Sequence, residues 1–185
     1  MSAQTFSLER INTPTGGMLI VTDDENRLRA ADWEDYEPRM HRLFQLHYGA
    51  DSVQLREVSR SSPARGALEA YFDGDLDAVS AASTDTNGTD FQRRVWAELR
   101  TIPPGHSISY GTLAIRIGNP KAVRAVGLAN GANPIAIFVP CHRVIGANNS
   151  LTGYGGGLER KRWLLQHERP GDDVFSAERH KVDAI

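Results

Sequence analysis

Cys141 is the only cysteine among 185 residues, and it stands in the stretch PCHR at 140–143. A thiolate is a strong nucleophile, but a free thiol with a pKa of about 8.5 is a poor one at neutral pH. Activation needs a base or a positive charge, and His142 and Arg143 are the adjacent candidates. Sequence neighbours need not face each other, so His142 would act through a bridging water. Two other roles stay open on residue types alone. A lone cysteine commonly fills apolar space. A cysteine hydrolase would need Cys, His and Asn or Glu in array, and Asn133, His142, His167 and Glu168 could supply the partners. A single cysteine makes neither an internal disulfide nor a thiolate zinc site, and no His pair has ligand spacing, so no metal is expected.

The elements that would position Cys141 are legible around it. The apolar run IAIFV (135–139), ended by Pro140, predicts a strand that delivers Cys141 to the floor of a cleft. TDFQRRVWAELRTIPPG opens with Thr89 and Gln92 at capping-box spacing. Phe91, Val95, Trp96, Leu99 and Ile102 then form one apolar face, and the proline pair at 103–104 stops the helix. YGTLAIRIG (110–118) and KAVRAVGLANG (121–131) read as two short helices across a turn, the helix-turn-helix form. The second is built of Ala, Val and Gly, with Lys121 and Arg124 its only charges. Such a helix lets a partner surface approach its backbone closely, or packs tightly on its own core with Arg124 in an ion pair. LERKRWLLQHE (158–168) is amphipathic, with Trp163 and His167, and Leu164 and Glu168, at i, i+4.

The first half reads as a small α/β unit. It has a hairpin of strands 18–22 and 28–33, a helix over 38–49, a short strand over 53–58, and a Ser-capped helix over 62–74. Asp32, Glu34, Asp35 and Glu37 read as a solvated acidic loop. Trp33, Phe44, Tyr71 and Phe72 read as core, and no residue of this half reads as chemical. The polar stretch 83–90 marks a domain boundary, and the charge reverses there. Residues 1–90 hold 8 Lys/Arg against 16 Asp/Glu, while 91–170 hold 11 against 3. A basic second half suits a polyanion, because lysine and arginine release counterions from phosphates. Hydrophobic residues at 40% and charged residues at 24% are globular proportions. No window reaches roughly 18 consecutive apolar residues, so no membrane span is expected. The lack of a signal-like N-terminus and the single cysteine predict a cytoplasmic protein.

PCHRVIG (140–146), preceded by KAVRAVGLANGANP (121–134) and followed by TGYGGGLERKRWLLQHE (152–168), resembles the methylated-DNA–protein-cysteine methyltransferases. These are the O6-alkylguanine-DNA alkyltransferases, and the pattern is similar to the bacterial constitutive type. The similarity spans 91–168, including FQRRVWAELRTIPPG and SYGTLA, and is looser over 1–88. The resemblance implies an α/β fold with a small ribonuclease H-like domain at 1–88. A mainly helical, winged-helix-like DNA-binding domain would follow at 89–170. By its polar composition, the stretch 171–185 reads as a poorly ordered tail.

The resemblance also implies the roles. Cys141 would take the alkyl group, methyl preferred, from O6-alkylguanine in double-stranded DNA, with O4-alkylthymine a second candidate. The nucleotide would first be flipped out of the duplex. His142 would receive the thiol proton through a water, oriented by Glu168. Asn133 would brace the turn before the cysteine segment. Tyr110 would help rotate the nucleotide and donate a hydrogen bond to the departing guanine. The helix carrying Arg124, Ala125 and Gly127 would enter the minor groove, with Arg124 filling the stack and Lys121 holding phosphate. Val139, Pro140, Tyr154 and Gly155 would line the pocket. No cofactor is implied, and the chain is expected to act as a monomer. With no second thiol to resolve the thioether, each molecule would react once. Gly155 departs from relatives that carry serine after the pocket tyrosine, so a backbone N–H would have to meet the guanine oxygen. Relatives that bind zinc through N-terminal cysteines cannot be matched. Competing readings are a non-catalytic alkyl-lesion-recognition protein, whose relatives lack the nucleophile, a plain helix-turn-helix regulator, and a cysteine hydrolase.

Overall fold

The hairpin expected in the first half is present and belongs to a larger sheet. In the computed structural model, which describes residues 3–169, strand β1 spans Gln4–Thr13, β2 Gly16–Thr22 and β3 Leu28–Trp33. Helix α1 (Glu37–Tyr48) follows and buries Met40, Leu43 and Phe44, then Gly49 ends it at φ 94°. Strand β4 (Val53–Glu57) lies parallel to β1, giving the sheet order β3-β2-β1-β4. Helix α2 (Pro63–Phe72) starts where the Ser62 side chain accepts from Arg65 N–H at 3.2 Å. The sequence reading missed β1 because its alternation slips phase. Phe6, Leu8 and Ile11 are buried, but so is Glu9, whose carboxylate accepts from Ser62 N–H at 3.1 Å.

The second half is mainly helical. Helix α3 (Asp90–Leu99) carries both bonds of the expected capping box between Thr89 and Gln92. The minimal strand β5 (Ile108–Ser109) leads into α4 (Tyr110–Arg116), and Gly118 makes the following turn at φ 76°. Helix α5 (Val123–Gly131) packs on α3 and α4, and the Trp96 indole donates to the Ala129 carbonyl at 2.9 Å. Strand β6 (Val144–Ile145) pairs with β5, and α6 (Leu158–His167) closes the described fold. None of the described helices is long and apolar enough to cross a membrane. The polar tail expected at 171–185 lies outside the described residues.

Two expectations fail. Residues 135–139 form no strand. Only one bridge, Ala31 to Ile135, ties them to the sheet, and the backbone then turns on itself. Val139 N–H donates to the Ile135 carbonyl, Phe138 N–H to Ala136, and Cys141 N–H to Val139. Buried Ile137 sits at φ 71°, a left-handed conformation that costs a β-branched residue about 1–3 kcal/mol. The run is apolar because it is core, and its coil is held by side-chain bonds that propensity does not report. Asp32 likewise is no solvated loop residue. It lies on β3, 1% exposed, and accepts from Arg39 Nη1 at 2.6 Å.

One hydrophobic cluster runs through both halves, from Met18, Trp33 and Tyr71 to Trp96, Val126, Phe138 and Cys141. At its edge a buried polar knot joins three distant segments. Glu168, just past α6, accepts from the Tyr71 hydroxyl at 2.9 Å, from Arg143 Nε at 2.9 Å and Nη2 at 2.8 Å, and lies 2.8 Å from His142 Nε2. Burial pushes this carboxyl up, but His142 and Arg143 outweigh it and hold it well below the usual carboxylate range. Its folded-state pKa is therefore below the unfolded one, so its stabilisation is complete above the ordinary value near 4.5 and is lost as pH falls. Urea unfolding should show wild-type stability declining below roughly pH 5, with Glu168→Gln already about 3–5 kcal/mol weaker at neutral pH. The variant should also have the shallower acid decline. An equally steep acid limb in the variant would assign acid sensitivity to other carboxylates.

Candidate active site

Cys141 opens a single 3₁₀ turn, Cys141–Arg143, and is only 6% exposed. It lies within the core's edge, not on the floor of an open cleft. The Asn133 side chain shapes its approach. Its Oδ1 accepts from Ile135 N–H at 3.0 Å, and its Nδ2 donates to the Val139 carbonyl at 2.8 Å and to Cys141 Sγ at 3.0 Å. One amide thus braces the irregular 135–139 segment and touches the sulfur at its end. Burial pushes the thiol up from its ordinary value. The Asn133 hydrogen bond and the positive charges of Arg39 and Lys161 pull the other way.

His142 is fully buried and its Nε2 is tied to Glu168. Burial lowers its pKa more than Glu168 raises it, so the ring is neutral at neutral pH. Beside an ionised carboxylate, the neutral ring keeps its proton on Nε2 and donates it, which leaves Nδ1 as a lone-pair acceptor. That Nδ1 is buried and has no partner among the described residues. Arg143, an expected candidate for activating the thiol, spends its guanidinium on Glu168 and the Ile102 carbonyl. His167, considered as a hydrolase partner, stacks on Trp163 with ring centroids 4.8 Å apart and bonds the Tyr71 carbonyl through Nε2. Neither residue joins the thiol.

Tyr110, at the start of α4, reaches over the site, and its hydroxyl donates to the Thr152 carbonyl at a marginal 3.5 Å. Tyr154 stands edge-on to Trp33, with centroids 5.9 Å apart, and its buried hydroxyl has no partner. Burial raises both phenols. Val139 and Pro140 are buried beside the sulfur-bearing turn. Together with Asn130, the unpartnered buried side-chain atoms among the described residues are His142 Nδ1, Tyr154 Oη and Asn130 Oδ1. All three belong to residues around Cys141.

A separate surface lies on α5. Lys121, Arg124 and Ala125 are exposed, and no ion pair to Arg124 occurs among the described residues. The tightly packed alternative for this face therefore does not hold. Gly127 connects the two regions, since a Cβ there would meet the Tyr110 ring at 3.9 Å.

Three residues at the site escaped the sequence reading. Arg39 of α1 donates to Asp32, and through Nη2 to the carbonyls of Gly131 at 2.7 Å and Asn133 at 3.1 Å. Tyr71 of α2 holds Glu168. Lys161 of α6 is fully buried, donates to the carbonyls of Val144 at 2.6 Å and Thr152 at 2.9 Å, and is pushed down to about 8 by burial. Arg39 and Tyr71 come from the half that looked chemically silent, and no local pattern marks a residue that acts across the core. A lysine on the inner face of an amphipathic helix was the one available signal.

The family model described as "6-O-methylguanine DNA methyltransferase, DNA binding domain" matches residues 90–170. The methylated-DNA–protein-cysteine methyltransferase of Salmonella typhimurium is 49% identical over 160 residues, covering 86% of this chain and 94% of its own length. That of Mycobacterium bovis is 62% identical over 102 residues, 55% of this chain and 61% of its own. Among solved structures, Mycobacterium tuberculosis OGT in complex with DNA is 43% identical, with a TM-score of 0.69 over 88% of this chain and 92% of the other. Identity at this level along nearly the whole Salmonella protein makes the chain a member of the methylated-DNA–protein-cysteine methyltransferase family.

Proposed function

We propose that the protein repairs DNA by transferring the alkyl group of O6-alkylguanine to Cys141, once per molecule. One observation carries the reading. A buried thiol, touched by an amide donor, lies among residues that hold three buried polar atoms with no partner among the described residues. Buried polar groups are paired almost everywhere in folded proteins, so three such atoms around one sulfur point to a polar substrate.

The reaction is a single displacement. The thiol proton passes through a water to His142 Nδ1, and Glu168 stabilises the imidazolium through Nε2. Sulfur attacks the alkyl carbon, the carbon–O6 bond breaks, and its electron pair leaves on guanine. Tyr110 gives the departing base a proton and regains one from the His142 side, so one proton moves from thiol to guanine overall. The Asn133 N–H on Sγ steadies negative charge as it forms.

Entry of a flipped nucleotide parts Tyr110 from Thr152, a contact at the limit of hydrogen bonding and cheap to break. Arg124 projects from a helix of small residues, suited to holding the space the nucleotide leaves. Lys121 at the same helix start is suited to phosphate. In the pocket, Gly155 is closed to a side chain, because a Cβ would stand 2.9 Å from the Arg39 guanidinium. The carbonyls and carboxylate that hold Arg39 keep it from yielding, which supports a backbone N–H as the contact to the guanine oxygen. The single free cysteine and its thiol chemistry suit a cytoplasmic site of action.

Duplex DNA with radiolabelled O6-methylguanine should leave close to one label per chain on the protein, and Cys141→Ala should leave none. Binding without transfer would instead support a lesion-recognition module, and continued turnover a hydrolytic enzyme. Arg124→Ala should slow repair in duplex by about tenfold or more while leaving reaction with the free base within about twofold. Equal loss on both would make Arg124 a structural residue. Gly155→Ser should cost about 1–3 kcal/mol in denaturant unfolding, from crowding against Arg39. The double variant with Arg39→Ala should show less than the summed loss, and strict additivity would separate the two residues.

A further inference from the structure

Helix α5 turns Val126, Ala129 and Asn130 inward, yet Leu128 stands 71% exposed on the other side. It lies one helical turn beyond Arg124, at i, i+4, so the two side chains share the outward face. A single exposed leucine is ordinary on a folded protein, but its setting here is not. Of the five large hydrophobic side chains that stand exposed among the described residues, Ile115, Val123 and Leu128 fall in α4 and α5. No Asp or Glu occurs between Glu98 and Glu159. Arg116 pairs with Glu98 at 3.6 Å, whereas Lys121 and Arg124 have no ion pair among the described residues.

Exposed apolar groups among unpaired cations suit a partner that is anionic outside and apolar within. A DNA duplex has that make-up, with phosphates along its edges and stacked bases between them. The helix is also stiffly backed where Leu128 projects. The Trp96 indole holds the Ala129 carbonyl at 2.9 Å, and Arg39 Nη2 holds the Gly131 carbonyl at 2.7 Å. A side chain on so firm a base can push without its helix giving way. We propose that Leu128 is an apolar wedge that enters the duplex beside Arg124 and parts a base step next to the emptied position. The assignment rests on the alkyl-acceptor reading above and divides the work of holding the duplex open. Arg124 fills the gap, and Leu128 takes a neighbouring step. Leucine is among the apolar side chains that unstack base steps from the minor groove and kink the duplex. One helical turn rises about 6 Å over four residues, against about 3.4 Å between stacked bases. Leu128 therefore acts no more than about two base pairs from the position that Arg124 fills.

The test uses O6-methylguanine duplexes with 2-aminopurine, which brightens when unstacked, at each position within two base pairs of the lesion. The full chain carries Cys141→Ala, so that the complex is held before transfer. Binding should brighten at least one position, and adding Leu128→Ala should cut that rise by about half or more, while Leu128→Met keeps it. Leu128→Ala should also weaken duplex binding by about tenfold at every salt concentration. The slope of log K against log salt should not change, because an apolar group releases no counterions, whereas Lys121→Ala should flatten it by about 0.9. Being exposed, Leu128 should be replaceable by alanine with no change in the urea midpoint. Parental brightness and affinity in Leu128→Ala would overturn the assignment. So would a flattened salt slope, which would make the loss electrostatic. Unchanged DNA binding with altered self-association in sedimentation would give the face to a second copy instead. Label transfer by the chain with Cys141 intact separates the two readings. No label from the duplex would sink the alkyl-acceptor reading, whereas full labelling beside an unchanged Leu128→Ala signal sinks the wedge alone.

Discussion

The architecture hangs on one buried carboxylate. Glu168 collects a phenol from α2, a guanidinium and an imidazole from the turn after Cys141, and carries them on the end of α6. Burying a charge is costly unless it is paired and hydrogen-bonded, and here both oxygens are engaged. The same pairing that makes the carboxylate tolerable also sets the histidine tautomer, leaving Nδ1 as a lone-pair acceptor. Removing the carboxylate would therefore loosen the fold and free the imidazole ring in the same event.

The second organising device is Asn133, which does for an irregular segment what a ladder does for a strand. Its amide meets the backbone on both sides of a left-handed isoleucine and ends on the sulfur. A reactive group on so irregular a backbone needs such bracing, because a coil without it would have many arrangements. Lys161 plays a matching part on the other side, tying β6 to the loop that carries Thr152.

Much of this was legible in the residue order. The capping box at Thr89 and Gln92, the helix-turn-helix spacing and the Ser62 cap are local rules, and the structure obeys them. The grouping of Cys141, His142, Asn133, Glu168, Tyr110 and Tyr154 was reached through resemblance, since nothing in their spacing brings 133 or 168 to 141. What escaped was non-local. Strand β1 hid behind a buried glutamate, 135–139 carried strand-like apolar residues without strand geometry, and Asp32 looked solvated until Arg39 covered it. Arg39, Tyr71 and Lys161 act through the shared core, and a sequence shows no such distance.

The charge partition noted at the linker acquires meaning once the halves are folded against each other. Residues 1–90 carry a formal balance of −8 and 91–170 one of +8, while one core holds them rigidly together. A body charged in that way is a large electric dipole. In the field of any polyanion it experiences a torque before it makes contact, turning its basic half inward and its acidic half outward. The search for a lesion would thus begin with the molecule already facing the right way, over a range set by the Debye length of about 8 Å in physiological salt.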